Sequence, residues 1–347
     1  MYIKKILVAI ALIGLVIAAY FSYFVYNAMF VDNTAFNNEE AYIYIPSDSS
    51  YETVREMLVP LLKDIDGFDA LAERKKYVSN IKAGRFVIKK GMNNNDIINS
   101  IRSNNIPIKV SFNNQESLES LAGRIAGQIE TDSVSLISSM KETSFLEENR
   151  FNKNTALGMY IPNSYEFFWN TSGEQFRDRM LTEYTKFWTE SKLNKAKALG
   201  LSPLEVITLA SIVQKETAKI DERARVAGVY VNRLKRGMPL QADPTVIYAM
   251  KYESGDFDQV IKRVLYKDLE LDSPYNTYKY TGLPPGLIAM PDVSSINAVL
   301  NFEKHNFYYF VVNVENFGYH KFAKTLSQHN RNRQEYVRWI NKQGINR

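Results

Sequence analysis

The chain of 347 residues contains no cysteine. That excludes disulfides, a thiol nucleophile and any cysteine-ligated metal. Histidine is scarce as well: His305, His320 and His329 complete the set, and none stands in an H-E-x-x-H arrangement. Metallohydrolase chemistry is therefore not expected, no metal ligands are assigned, and His320 and His329 are read as structural. Charge of one sign is also missing. The 43 Lys and Arg and 38 Asp and Glu give a net charge of +5 and are interspersed, so no nucleic-acid footprint is present. No internal repeat or low-complexity stretch occurs. After residue 30 no run is long and apolar enough to cross a membrane.

What is present is an ordinary globular composition, 45% hydrophobic and 23% charged, with a high aromatic share of 13% and 22 tyrosines. Length alone suggests two domains and a small additional module. A tyrosine ring offers an apolar face with a hydroxyl at its rim, which suits carbohydrate rings and protein cores alike. The first strong local signal is at the N-terminus. Behind Lys4 and Lys5, residues 6–30 carry no charge and are long enough for a transmembrane helix. The run ends in Tyr20, Phe21, Tyr23, Phe24 and Tyr26, an interfacial aromatic belt rather than the small residues of a cleavage site. The two lysines place residues 1–5 as a cytoplasmic tip and everything after residue 30 outside. A single-pass protein of the cytoplasmic (inner) membrane is expected.

The exported part reads as α+β. Residues 31–40 are polar and predict a tether. Strands are predicted over 41–45, 85–88 and 106–112, and helices over 50–62, 95–103, 116–129 and 175–191. Ser202-Pro203-Leu204-Glu205 is a helix start with Ser as N-cap, Pro in the first turn and Glu three residues after the cap. Val206, Leu209, Ala210 and Val213 then form an apolar stripe, and the next position on that face is Glu216. A carboxylate in line with a buried stripe is costly unless paired or protonated, and desolvation would make it an acid. The competing reading places Glu216 at a frayed helix end, pairing with Lys219 or Arg223. A second helix begins at Asp221, with Val226, Val229, Tyr230 and Leu234 on its apolar face and Gly237 as its stop. Asp243-Pro244 is another helix start, with Asp243 as N-cap. The runs Tyr275-Asn276-Thr277-Tyr278 and GLPPG (282–286) are rigid loops.

Three blocks carry a resemblance: ASIVQKETAKIDERARVAGVYVNRLKRGMPLQADPTVIYAM (210–250), YNTYKYTGLPPGLIAMP (275–291) and YYFVVNVENFGYHKFAKTLSQHN (308–330). In order, spacing and identity they resemble the MltG (YceG-like) family of endolytic murein transglycosylases. The likeness runs from about residue 41 to the C-terminus, is strongest in the last 150 or so residues and is weak before Gly158. It implies a small LysM-like α/β module over 41–108 that contacts glycan. It also implies a mixed α+β catalytic domain over 109–347 with a lysozyme-like helical active-site region. The glutamate of the family's K-E-T triplet, here Glu216, is its catalytic acid. Gln214 stands where the family often has another acid, so an acid there is dispensable. By the same resemblance Gln241 and Asn276 line the glycan groove, with Asp243, Tyr278 and Tyr248 as further substrate-binding candidates. The block IPNSY (161–165) departs from the family's P-D-T-Y.

The activity implied is cleavage of the β-1,4 bond between N-acetylmuramic acid and N-acetylglucosamine in nascent strands. Glu216 acts as acid and then base, leaving 1,6-anhydro ends, and no cofactor is needed. The partners implied are peptidoglycan strands, the inner membrane, and neighbouring cell-wall synthases or division proteins. A water-using muramidase with Asp243 as second carboxylate and a non-catalytic wall-binding scaffold are the alternatives. A pyridoxal-phosphate lyase would need a phosphate cup and a Schiff-base lysine that the sequence does not display.

Overall fold

The computed structural model describes residues 2–261 and 263–342. Met1 of the expected cytoplasmic tip and residues 343–347 of the expected catalytic domain lie outside the described residues. The chain forms two compact units. One comprises Met1–Val110, Gln128–Thr131 and Tyr165–Thr171, and the other holds the rest. The sequence reading divides the chain once, between 108 and 109. The structural division falls two residues later, and two short downstream segments return to the first unit, which no local pattern encodes.

The first unit begins with α1 (Tyr2–Phe30), an apolar helix with mean hydropathy 2.4 over its candidate span, which fits a membrane anchor. It is the one single helix among the described residues long and apolar enough to cross a membrane. The small module that follows comprises β1 (Glu40–Ile45), α2 (Tyr51–Leu58), α3 (Ile65–Arg74), β2 (Gly84–Lys89) and α4 (Asn94–Ser103). The strands pair antiparallel, with Ile43 opposite Phe86. Their period of two sends Ile43, Ile45, Phe86 and Ile88 to one face, against Val54, Leu58, Phe68, Leu71, Ile97 and Ile101 from the helices. Ser50, Asp64 and Asn93 cap the three helices by accepting a hydrogen bond from the backbone N–H three residues on. The sequence reading carried no element over residues 65–74.

Residues 31–40 are not a free tether. Asn33 is buried, its amide donates to the Asp64 carbonyl at 2.7 Å and to Asn94 Oδ1 at 2.6 Å, and its carbonyl oxygen accepts from the Asp64 N–H at 2.7 Å. Backbone bridges join Asp32 to Asn93 and Thr34 to Leu62. Ala28 is buried and Met29 packs on the module's core, so α1 runs into the module directly. A polar composition signalled a linker, but here the polar groups are used as ladder and side-chain partners.

The second unit follows β3 (Ile108–Phe112), which pairs with β4 (Asn163–Phe167). The second unit carries α5 (Leu118–Ala126), α6 (Ser133–Met140), α7 (Thr143–Glu148), α8 (Gly173–Phe187) and α9 (Glu190–Leu199). Then come α10 (Pro203–Glu216), α11 (Arg223–Lys235), α12 (Asp243–Ser254), α13 (Val293–Leu300), the hairpin β5 (Tyr309–Val312) and β6 (His320–Ala323), and α14 (Leu326–Lys342). The Ser202–Glu205 capping box opens α10 as its sequence predicts. This helix is central, touching α9, α11, α12 and α13. Every residue from Val206 to Val213 is buried, so the helix is enclosed on all sides rather than along one stripe. Together α9 and α10 are apolar enough to span a membrane, but they bend by 76° and α10 spends its apolar surface on the core.

Candidate active site

Glu216 is the last residue of α10, and the chain turns extended at Thr217 (φ −136°, ψ 131°). The helix core therefore carries this carboxylate to the border of the packed interior, where its residue stays half-buried. Oε1 accepts a hydrogen bond from the hydroxyl of Tyr230 at 2.7 Å. Tyr230 comes from α11, is 1% exposed, and is fixed by an edge contact with Phe310 on β5. Burial raises the Glu216 carboxyl to about 7; the Tyr230 hydroxyl opposes this, the Asp243 charge adds to it, and the charges of His320 and Arg233 oppose it.

The salt-bridge alternative does not occur. Arg223 is taken by Ser294 Oγ at 2.6 Å and Asp292 Oδ2 at 3.3 Å, and the Lys219 ammonium lies 5.0 Å over the Tyr319 ring. Gln214 and Lys215 leave on other faces. Gln214 Oε1 accepts from the Asp292 N–H at 2.5 Å, and Lys215 pairs with Glu116 at 2.5 Å.

Two loops stand beside Glu216 and are tied to each other. The Gln241 N–H donates to the Thr277 carbonyl and the Ala242 N–H to Thr277 Oγ1, both at 3.0 Å. Gln241 has a left-handed backbone (φ +50°) and an exposed side chain. A non-glycine residue held there stores about 1 kcal/mol of strain, and such strain gathers at functional sites. Arg233 secures the loop from behind, donating to the carbonyls of Leu240 at 2.7 Å and Tyr308 at 2.6 Å. Asp243 is exposed and accepts from the Tyr278 hydroxyl at 2.5 Å. It does not cap α12: Ala242 occupies the cap, and Thr245 donates to the Ala242 carbonyl instead. Burial first, and then the Asp243 carboxylate, hold the Tyr278 hydroxyl protonated.

Asn276 is placed differently from a groove-lining residue. It is 0% exposed; its amide donates to the carbonyls of Leu269 and Leu271 at 2.8 Å and its Oδ1 accepts from the Tyr278 N–H at 3.0 Å. It fixes the shape of the loop that presents Tyr278. Tyr248 lies in a separate aromatic cluster with Tyr275 (4.6 Å between centroids), Phe257 and Tyr252. It lines a cavity of about 330 Å³ with Glu116, Lys215, Lys251 and Ile288, and burial pushes its hydroxyl up to about 12. The structure thus gathers Glu216, Asp243 and Tyr278, with Gln241 next to Asp243, and sets Asn276 inside the loop and Tyr248 in the adjoining cavity.

The sequence reading gave no site role to Tyr230, Arg233 or Glu222. Tyr230 was visible as a hydroxyl on an apolar helix face, which needs a partner. Glu222 is 5% exposed and takes His320, a residue read as structural, as its partner. The 3-10 turn Ile220–Glu222 that carries it stands where the sequence suggested the first turn of the second helix, which begins at Arg223.

The YceG-like family model matches residues 43–335. The chain is 31% identical over 315 residues to the endolytic murein transglycosylase of Bacillus subtilis (strain 168), covering 85% of this chain and 84% of that protein. It is 28% identical over 300 residues to the endolytic murein transglycosylase of Streptococcus pneumoniae serotype 2 (strain D39 / NCTC 7466), covering 78% of this chain and 53% of that one. The crystal structure of a yceG-like protein from Listeria monocytogenes superimposes with a TM-score of 0.56 at 28% identity, over 85% of this chain and 99% of that one.

Proposed function

This chain belongs to the YceG-like family, and from that premise we propose that it is an endolytic murein transglycosylase with Glu216 as its single acid and base. Protonated Glu216 gives its proton to the oxygen between N-acetylmuramic acid and N-acetylglucosamine as the C1–O bond breaks. The carboxylate then takes the proton of the muramyl C6 hydroxyl as O6 closes on C1, and a 1,6-anhydro end is left. The observation that carries this reading is the Glu216 carboxyl at about 7, raised by burial and held by a neutral hydroxyl donor rather than a cation. At neutral pH such a group holds its proton far more often than an unperturbed glutamate does. Because the nucleophile belongs to the same sugar, the protein's work is protonation and orientation. The exposed Gln241 amide and the Tyr278–Asp243 pair are placed for hydrogen bonds to acetamido and hydroxyl groups. Asn276 acts through the loop, and Tyr248 through the cavity beside it.

The wider reading assigns the β–α–α–β module as a LysM-like glycan contact and the α10–α11 region as the lysozyme-like part. It assigns α1 as a single-pass anchor of the inner membrane, with the N-terminus inside and everything after residue 30 outside. Synthases or division proteins of the wall would then be neighbours. The test is digestion of purified murein by the full chain in detergent, with mass analysis of the products beside Glu216→Gln. Anhydro ends that vanish in the variant are the expected result. Ends heavier by a water would favour a muramidase, for which Asp243, close enough to act on the Glu216 charge, supplies a second carboxylate. Activity surviving in the variant would remove Glu216 from its role.

A further inference from the structure

The turn after Glu216 contains a second buried carboxylate whose partners are unusually complete. Glu222 Oε1 accepts from the His320 backbone N–H at 2.7 Å. Oε2 accepts from His320 Nδ1 at 2.7 Å and from Thr217 Oγ1 at 3.1 Å. One side chain, 3% exposed, thereby joins the residue directly after Glu216 to the first residue of β6, which lies 98 positions beyond Glu222 itself. A carboxylate accepts only, so the ring must carry its proton on Nδ1. Nε2 has no hydrogen-bond partner among the described residues and is not sealed from solvent. Phe310 then packs its edge against both His320 (5.0 Å) and Tyr230 (5.9 Å), the residue that holds Glu216. Packing and hydrogen bonds thus run from His320 to the catalytic carboxyl by two routes, through Thr217 and through Phe310 and Tyr230.

We propose that Glu222 and His320 are a positioning pair for Glu216, with Glu222 orienting an imidazole whose free Nε2 takes a proton from solvent water to offset the charge left on Glu216 and returns it to solvent once Glu216 is reprotonated. The proposal rests on the functional reading above. When Glu216 passes its proton to the glycosidic oxygen, a carboxylate remains in a poorly solvated place. The imidazolium stabilises it until the C6 hydroxyl returns a proton, and His320 itself is unchanged over the cycle. Other charged or titratable groups near the pair include Asp221, which accepts from the Tyr319 hydroxyl at 2.9 Å, Lys219 over the Tyr319 ring, and Tyr230 and Arg233 on α11; α14, packed on the hairpin, adds His329, whose ring burial disfavours charging, and Glu335, paired with Lys321 at 2.8 Å. Lys219 stays with Tyr319, and Arg233 is bound to backbone carbonyls, which leaves His320 as the group free to change charge.

The test is the pH profile of murein cleavage by the full chain in detergent, for wild type, His320→Gln and Glu222→Gln, normalised to folded protein by circular dichroism. His320→Gln deletes the cation and Glu222→Gln deletes the carboxylate that favours it, so in either variant Glu216 keeps its proton to higher pH. The alkaline limb should move up by about half a unit or more in both variants, with kcat about tenfold lower and KM within about twofold. A merely structural pair would lower folded protein, or activity at every pH alike, and leave the limb in place; that result overturns the proposal. If neither variant folds, the His320 ring can be followed by nitrogen NMR in wild type and Glu216→Gln. Coupling requires that its titration differ between the two, and identical curves overturn the proposal. Absence of anhydro products in the wild type would strike the functional reading; an unmoved limb with those products intact would strike this pair alone.

Discussion

The end of α10 and the turn that follows it each enclose a glutamate, and the two are driven in opposite directions. Burial acts on both to favour the protonated form. Glu216 has one neutral hydroxyl donor and nearby charges of both signs, and its carboxyl rises to about 7. Glu222 has a backbone N–H, a ring N–H and a hydroxyl, and these outweigh burial and hold its carboxyl below the usual glutamate range. Enclosure alone therefore does not make an acid catalyst. The number and charge of the donors decide, and the under-supplied carboxylate is the one available for chemistry.

The most severe way to test this contrast is Glu216→Gln, which should reduce murein cleavage by about 10³-fold or more, measured as anhydro product per folded enzyme. Next is Glu222→Ala, which leaves His320 and Thr217 without their acceptor and should cost about 3 kcal/mol in chemical denaturation near neutral pH. Its sign with pH is fixed by the depressed carboxyl: the stability Glu222 supplies is present above the ordinary glutamate value and is lost as pH falls below it. Wild type should therefore lose more stability than the variant on acidification. Glu216 has the opposite sign. Its raised carboxyl favours the folded state below the ordinary glutamate value of 4.5, and that advantage disappears as pH rises towards about 7. Glu216→Gln should thus gain about 1–3 kcal/mol over wild type at pH 8 relative to pH 5, after allowance for its partial exposure. Equal stability curves would mean that burial does not govern this carboxyl. The smallest effect is expected for Tyr230→Phe, which deletes the donor opposing burial. The alkaline limb of activity should move upward, and stability should fall by about 1 kcal/mol; a downward move would place Tyr230 in another role.

Much of the fold was legible. The strand alternation over 41–45 and the capping box at Ser202 are short-range patterns that the chain obeys locally. The helix phase brought Glu216 to the edge of the core by residue spacing alone, and the three family blocks marked it as the acid. Less legible was anything depending on a partner far along the chain. Residues 31–40 look like a tether because their polar partners, Asp64, Met92 and Asn94, lie well downstream. Asn276 looks like a groove residue because its type suits sugar hydroxyls, yet its amide closes its own loop.

The sequence by itself determined that an acid would continue an apolar helix, that no cysteine or metal motif accompanies it, and that one long apolar helix opens the chain. These are properties of composition and period. Only the tertiary structure decided which of the neighbouring groups would reach that acid: Tyr230 rather than Lys219 or Arg223, and Glu222 turned away to His320. A proton's affinity depends on donors and charges within a few ångströms, and those arrive from segments that sequence distance does not relate.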